Sequence, residues 1–229
     1  MTLLLAATAA ALLPALHSGE RLTLDVPGWG RGIGTGGAVW PAAGALCRWL
    51  RKERQEVAGT AVLELGSGTG AVGLFAVGCG AQSLVLTDLD ASLCSLAADN
   101  VRANRGSVVP VDTAVATRRY RWGSPVEALG GPFDLCLGSD ITYEPGSHAA
   151  LMKTLGLLLE APAPPRVLLA HMHRPLTSVL KQGGCLEHLL ATARRRGLST
   201  REISIDRSGL SVVSLIEVSR AEGAARDEG

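Results

Sequence analysis

Two short apolar runs joined by a glycine-rich bend constrain this chain more than any other feature. Residues 60–65 gather Ala61, Val62, Leu63 and Leu65 into one run, and "SLVLTD" (83–88) forms a second. Both read as buried strands, because runs this short and apolar suit a strand covered on both faces. Between them lie "GSGTG" (66–70) and an apolar stretch over 70–79 that reads as a helix. The alternation continues. "ASLCSLAADNVRAN" (91–104) places Leu93, Leu96, Ala97 and Val101 at helical spacing. A third strand is expected near 113–120, a fourth at "FDLCLGSD" (133–140), a helix over 147–160 and, past the proline-rich break "APAPP", a fifth strand at "RVLLAHMH" (166–173). A helix over 184–197 precedes "STREISID" (199–206) and "LSVVSLIEVS" (210–219), joined by the hairpin-like "RSG".

Strands alternating with helices imply an α/β fold: a Rossmann-like, doubly wound, seven-stranded sheet, mostly parallel. No helix separates the last two strands, so a C-terminal strand runs antiparallel. Upstream, "RLTLDVPGWG" (21–30) alternates like an edge strand, "RGIGTGGAVWPAAG" (31–44) is glycine-rich, and "ALCRWLRKER" (45–54) is helical. The expected division is an extension over 1–59 that completes the ligand site, a core over 60–219, and a loose charged tail over 220–229.

Composition narrows the function classes. Net charge is +1, without the basic excess of a sequence-independent nucleic-acid binder. Aromatics are only 3%, so the core must be Leu, Val and Ala, and stacking platforms for single strands are missing. The five cysteines are widely spaced with no CxxC pair, and read as buried free thiols in a reducing compartment, with no metal site. "MTLLLAATAAALLPAL" (1–16) lacks a positive start and is interrupted by Pro14. It is also shorter than the roughly 20 apolar residues of a membrane span. It reads as a segment packed on the domain, with a targeting segment as the alternative. No membrane association is expected.

In sheets of this kind ligands sit beyond the carboxyl ends of the strands. "GSGTG" lies there: Gly66 permits the tight turn, Gly68 admits a ligand to the backbone, and Gly70 lets the helix pack close. Gly66, Gly68 and Ala71 also satisfy a dinucleotide pattern, and Asp88, ending the second strand, can accept ribose hydroxyls in either ligand class. Glu64, just before the bend, suits a cation better than a pyrophosphate. S-adenosylmethionine, with its sulfonium and ammonium groups, fits that acid.

"ELGSGTGAVGL" (64–74) followed by "TD" (87–88) resembles the class I S-adenosylmethionine-dependent methyltransferases. "VWPAA" (39–43), "RWG" (121–123) and "GSDITY" (138–143) narrow the resemblance to the seven-β-strand protein-lysine methyltransferases, including those acting on valosin-containing protein and on heat-shock chaperones. The resemblance spans roughly residues 21–218. It implies that Trp40 packs beside the methionine portion of the cofactor, that Gly66, Ser67 and Gly68 line it, that Asp88 holds the ribose, that Trp122 flanks the adenine, and that Ser139 touches the cofactor. Asp140 and Tyr143 would form an Asp-x-x-Tyr element at the acceptor. The implied function is methylation of a lysine on a protein substrate such as a chaperone or other ATPase, by a cytoplasmic or nuclear monomer. The alternatives are another acceptor (arginine, histidine or a small molecule), a non-catalytic cofactor-fold subunit, and a nicotinamide-dependent reductase. "HMHRPLTSVLKQGG" (171–184) departs from the family pattern and leaves the substrate open. His171 and His173 share one face of their strand and read either as ordinary structural residues or as lining the acceptor cleft. The basic runs "RRYR" (118–121) and "RRR" (194–196) read as solvated faces.

Overall fold

The computed structural model describes residues 12–27, 34–174, 185–208 and 211–221. Its seven strands are β1 (Ala61–Leu65), β2 (Ser83–Asp88), β3 (Ala114–Arg119), β4 (Leu135–Ser139), β5 (Arg166–Met172), β6 (Leu198–Asp206) and β7 (Val213–Arg220). They form one sheet in the order β3-β2-β1-β4-β5-β7-β6. β1 pairs in parallel with β2 and β4, which pair in parallel with β3 and β5. β7 runs antiparallel to both β5 and β6, so the expected antiparallel strand is the last in sequence and lies between two others.

Helices α1 (Pro41–Lys52), α2 (Ala71–Gly78), α3 (Ala91–Asn104), α4 (His148–Leu159) and α5 (Cys185–Arg195) cover the two faces. The central strands are apolar throughout because each feeds two cores. Val62, Leu135, Leu137 and Leu168 join the core under α1, α2 and α3, with Leu46, Leu50, Phe75 and Val101. Their neighbours Leu63, Cys136, Val167 and Leu169 join the opposite core, with Leu151 and Leu155 of α4 and Leu189 of α5. Successive strand residues point to opposite faces, so continuous apolar runs are what a doubly covered sheet requires. Pro41 opens α1, where its missing N–H costs nothing, and Arg51 and Lys52 close it near the negative end of the helix dipole.

Two N-terminal features needed the structure. Leu13 and Leu16 are buried, and Arg51 Nη1 donates to the Ala15 carbonyl at 3.1 Å, so residues 12–16 pack on α1. Residues 1–11 lie outside the described part. The expected edge strand at 21–30 does not form over 21–27, and 28–30 lie outside the described part. The segment is instead held by two amide side chains of α3. Asn104 Oδ1 accepts from the Thr23 N–H (3.0 Å) and Asn100 Oδ1 from the Asp25 N–H (2.7 Å), while both Nδ2 groups donate back to the carbonyls of the same residues. Alternating apolarity marks extended chain; a strand also needs a backbone partner.

All five cysteines are free; four are buried, and Cys94 is half-buried, against the expectation for it. Among the described residues no helix is long and apolar enough to cross a membrane.

Candidate active site

The bend between β1 and α2 is bare of side chains at Gly66, Gly68 and Gly70. Gly66 has φ +61° and Gly68 has φ +51°, a region that L side chains seldom adopt. A Cβ on Gly66 would stand 2.7 Å from Ile141 Cγ2 and 3.3 Å from Trp122 Cζ2. At Gly68 the structure adds a second reason for a bare backbone. A Cβ there would lie 2.5 Å from the Gly36 carbonyl oxygen of the chain's own 34–37 turn. Asp88 Oδ2 accepts from the Gly68 N–H (3.0 Å) and Oδ1 from the Asp90 N–H (3.2 Å), which ties the end of β2 to the bend. Burial raises the Asp88 carboxyl above its ordinary range, against the pull of these N–H donors.

Glu64 points from β1 toward α2, the face it shares with Val62. Its Oε2 accepts from the Gly73 N–H at 2.8 Å, in the first turn of a helix whose N-cap, Gly70, has no side chain to offer. Burial pushes its carboxyl up to about 8, countered by the Gly73 N–H and aided by the nearby Asp88 charge. Ser67 Oγ is the one fully buried side-chain polar atom without a hydrogen-bond partner among the described residues.

The second half of the site lies where β4 ends. Asp140 has φ +54°, the only positive value at a non-glycine among the described residues, and its N–H donates to the Ala170 carbonyl at 2.9 Å. Such backbone outliers cluster at functional positions. Its carboxylate is held by both terminal nitrogens of Arg174, at 3.0 and 2.5 Å. Burial raises the Asp140 carboxyl, with Arg174 acting in the opposite direction. The Tyr143 hydroxyl pairs with Thr35 Oγ1 at 3.3 Å, and Trp40 Nε1 donates to the Thr35 carbonyl at 3.0 Å, so one residue anchors two aromatic walls.

Histidines brace the loop between Asp140 and Tyr143. The fully buried His148 donates from Nε2 to the Thr142 carbonyl (2.9 Å), and Thr142 Oγ1 pairs with His171 Nδ1 (2.7 Å). A neutral His148 then accepts at Nδ1, so His188 Nδ1, 2.9 Å away, is the donor. Burial lowers the pKa of His148, and that of His171 to about 4, so both rings are neutral at pH 7. Of the two expected roles, the structure shows the structural one: neither His171 nor His173 lines the cleft, their rings stand 5.4 Å apart edge to face, and His173 Nε2 pairs with Ser214 Oγ at 2.7 Å.

These parts enclose one cleft of about 900 Å³ beyond the carboxyl ends of the central strands. Trp40, Glu64, Gly66, Ser67, Gly68, Asp88, Trp122, Ser139, Asp140 and Tyr143 all line it. Sequence reasoning missed Thr35, Arg121 and Arg174, which line it too. The lining suits a methyl donor better than a dinucleotide. Glu64 and Asp88 put two carboxyls at the bend, and among the described residues the lining cations are Arg121 and the already paired Arg174. A pyrophosphate would be repelled by carboxylates there, whereas a cationic amino-acid moiety is attracted to them and favours their ionised form. The Asp88 carboxyl and the half-buried indoles of Trp40 and Trp122 offer the mix of polar and aromatic contacts that an adenosyl amino acid needs.

Comparison with known proteins agrees with this geometry. Over 124 residues the chain is 36% identical to protein N-lysine methyltransferase METTL21A of Xenopus tropicalis, covering 53% of this chain and 54% of that protein. Over 127 residues it is 35% identical to EEF1A lysine methyltransferase 3 of Mus musculus, covering 56% and 52%. The chain spans about half the length of the curated relatives it matches. Among solved structures, the magnesium protoporphyrin IX methyltransferase of Synechocystis, with bound SAH, shares the fold at a TM-score of 0.56 and 15% identity, over 78% of this chain and 82% of that one. Residues 20–179 match the family model described as lysine methyltransferase, a span that includes the glycine bend, Asp88 and the Asp140–Tyr143 loop. With the cradle, the acid and the Asp-x-x-Tyr corner on one cleft, the chain belongs to the lysine methyltransferase family.

Proposed function

We propose that the chain transfers a methyl group from S-adenosylmethionine to a lysine side chain of a protein. The observation that carries this reading is the shared cleft: the glycine bend and Asp88 open onto the same space as Asp140 and Tyr143. Gly66, Ser67, Gly68, Asp88 and Trp122 hold the adenosyl part in this reading, and Trp40, Glu64 and Ser139 hold the amino-acid part. When bound, the cofactor supplies an electrophilic methyl carbon on a sulfonium.

The chain's own residues have two tasks. One is alignment, which is worth about 7–11 kcal/mol in the best intramolecular models. The other is to present the lysine as a neutral amine, although its unperturbed pKa is about 10.4. A narrow, partly desolvated passage disfavours the ammonium form. Asp140 orients the nitrogen and takes its proton on the carboxylate, whose pKa burial has already raised. The Tyr143 ring narrows the passage. The candidate substrate is a chaperone or other ATPase, met in the cytoplasm or nucleus by a monomeric enzyme.

The test is to incubate the chain with radiolabelled methyl donor and a cell extract, then to locate the label by mass spectrometry. Label on lysine of a protein band is expected. Label confined to arginine, histidine or a small molecule, or no label at all, would overturn the reading.

A further inference from the structure

The acceptor corner already holds a cation, and it belongs to the chain. Arg174 follows β5 and grips Asp140 with both terminal nitrogens, at 3.0 and 2.5 Å, while Nη1 also reaches the Met172 carbonyl at 3.4 Å. Its Cζ stands 6.0 Å from the Trp40 ring centroid and 5.6 Å from that of Tyr143. Two aromatic rings and a carboxylate therefore surround one cationic group, the composition by which proteins recognise organic cations. The walls have supports of their own. Thr35 anchors Trp40 and Tyr143, and the Ala170 carbonyl anchors the Asp140 backbone. Arg174 is 13% exposed and Asp140 2%, so the guanidinium lies on the solvent side of the carboxylate and stoppers it.

We propose that Asp140, Trp40 and Tyr143 form an alkylammonium subsite in which Arg174 is the internal stand-in, and that a substrate lysine enters as its ammonium by exchanging with Arg174. This rests on the acceptor-site reading of Asp140 and Tyr143. Charge balance dictates the exchange. A neutral amine entering in place of Arg174 would leave a buried carboxylate uncompensated, which is strongly unfavourable. An ammonium replaces one cation by another, and the proton leaves only after entry. The tether gives Arg174 an effective concentration on the order of millimolar. Free small amines therefore compete poorly, while a lysine carried by a protein that makes further contacts can win. Arg174 acts as a threshold for acceptors.

The test uses the full chain and n-butylammonium, the side chain of lysine without its backbone. The probe is titrated while the indole N–H of Trp40 is followed by nuclear magnetic resonance, with Trp40→Phe to assign the signal. Wild type is expected to shift only at high probe concentration. Arg174→Ala should saturate at a concentration at least tenfold lower. Arg174→Lys keeps a charge on the tether but lacks the fork, so it should gain several-fold and serves if the alanine variant does not fold. Adding Asp140→Asn to either should cancel the gain. Equal affinity in wild type and the Arg174 variants, or a gain that survives Asp140→Asn, overturns the inference. Methyl transfer does not enter this readout. A chain that binds the probe as described yet labels no lysine would refute the proposed function and leave the subsite standing.

Discussion

Asp140 bears a left-handed backbone and a buried carboxylate at once, two features that each cost stability and persist only where the surroundings enforce them. Asp140→Ala is expected to reduce methyl transfer by about 10²- to 10⁴-fold, the span over which positioned acid–base groups act. Affinity for S-adenosylhomocysteine, measured by calorimetry, should persist, because the glycine bend is untouched. Transfer at the wild-type rate would remove Asp140 from the chemistry. Glu64 governs a pH response. Its carboxyl is raised from 4.5 to about 8 in the folded chain, so its stabilising share is complete below pH 4.5 and is lost as pH climbs toward 8. The ligand-free melting temperature should therefore fall over that window more steeply in wild type than in Glu64→Gln. Parallel curves for the two would show that Glu64 ionises normally. Residues adjacent in sequence made half of this site legible: "GSGTG", Asp88 and "SDITY" each lie on one short stretch. Arg174 and Thr35 were not legible, because their partners Asp140 and Tyr143 lie 34 and 108 residues away in sequence.

At the scale of elements, α3 shows how a helix can replace a strand as partner. Four residues of helix rise about 6 Å, close to the ~6.6 Å spanned by two extended residues. Asn100 and Asn104, one turn apart, therefore meet Asp25 and Thr23 in register. Asn100 Nδ2 also donates to the Thr69 carbonyl at 2.9 Å, which couples this clasp to the glycine bend. Asn100→Ala leaves the buried Thr69 carbonyl and the N–H and carbonyl of Asp25 without this partner and should cost about 1–3 kcal/mol, read from the urea midpoint. A shift no larger than that of an exposed α3 substitution such as Ser95→Ala would deny the clasp its role. The period of two over 21–25 matches the alternating exposure of these residues, but it carries no information on whether the partner is a sheet edge or a pair of amides. The strand and helix positions from β1 to β5 were legible, because an apolar run covered on both faces has few other ways to bury itself.

At the scale of the whole molecule, the two cores meet at a sheet whose carboxyl edge stays open, and ligand binding should be felt globally. S-adenosylhomocysteine at 100 times its dissociation constant is expected to stabilise the fold by about 2.7 kcal/mol, seen as a raised melting temperature. NAD should leave that temperature unchanged, and Asp88→Ala should abolish most of the shift. Stabilisation by NAD of equal size would point back to a dinucleotide ligand.

The place of β7 has a consequence for how the chain is made. Among the described residues β6 pairs with β7 alone, and β7 bridges it to β5. During synthesis β6 leaves the ribosome first and has no strand to pair with until the following one slides in beside β5. The sheet thus closes from the inside with its last-made piece. Until that moment a growing chain shows bare backbone along β5, which makes the interval before residue 213 the one when nascent molecules are most apt to stick to each other.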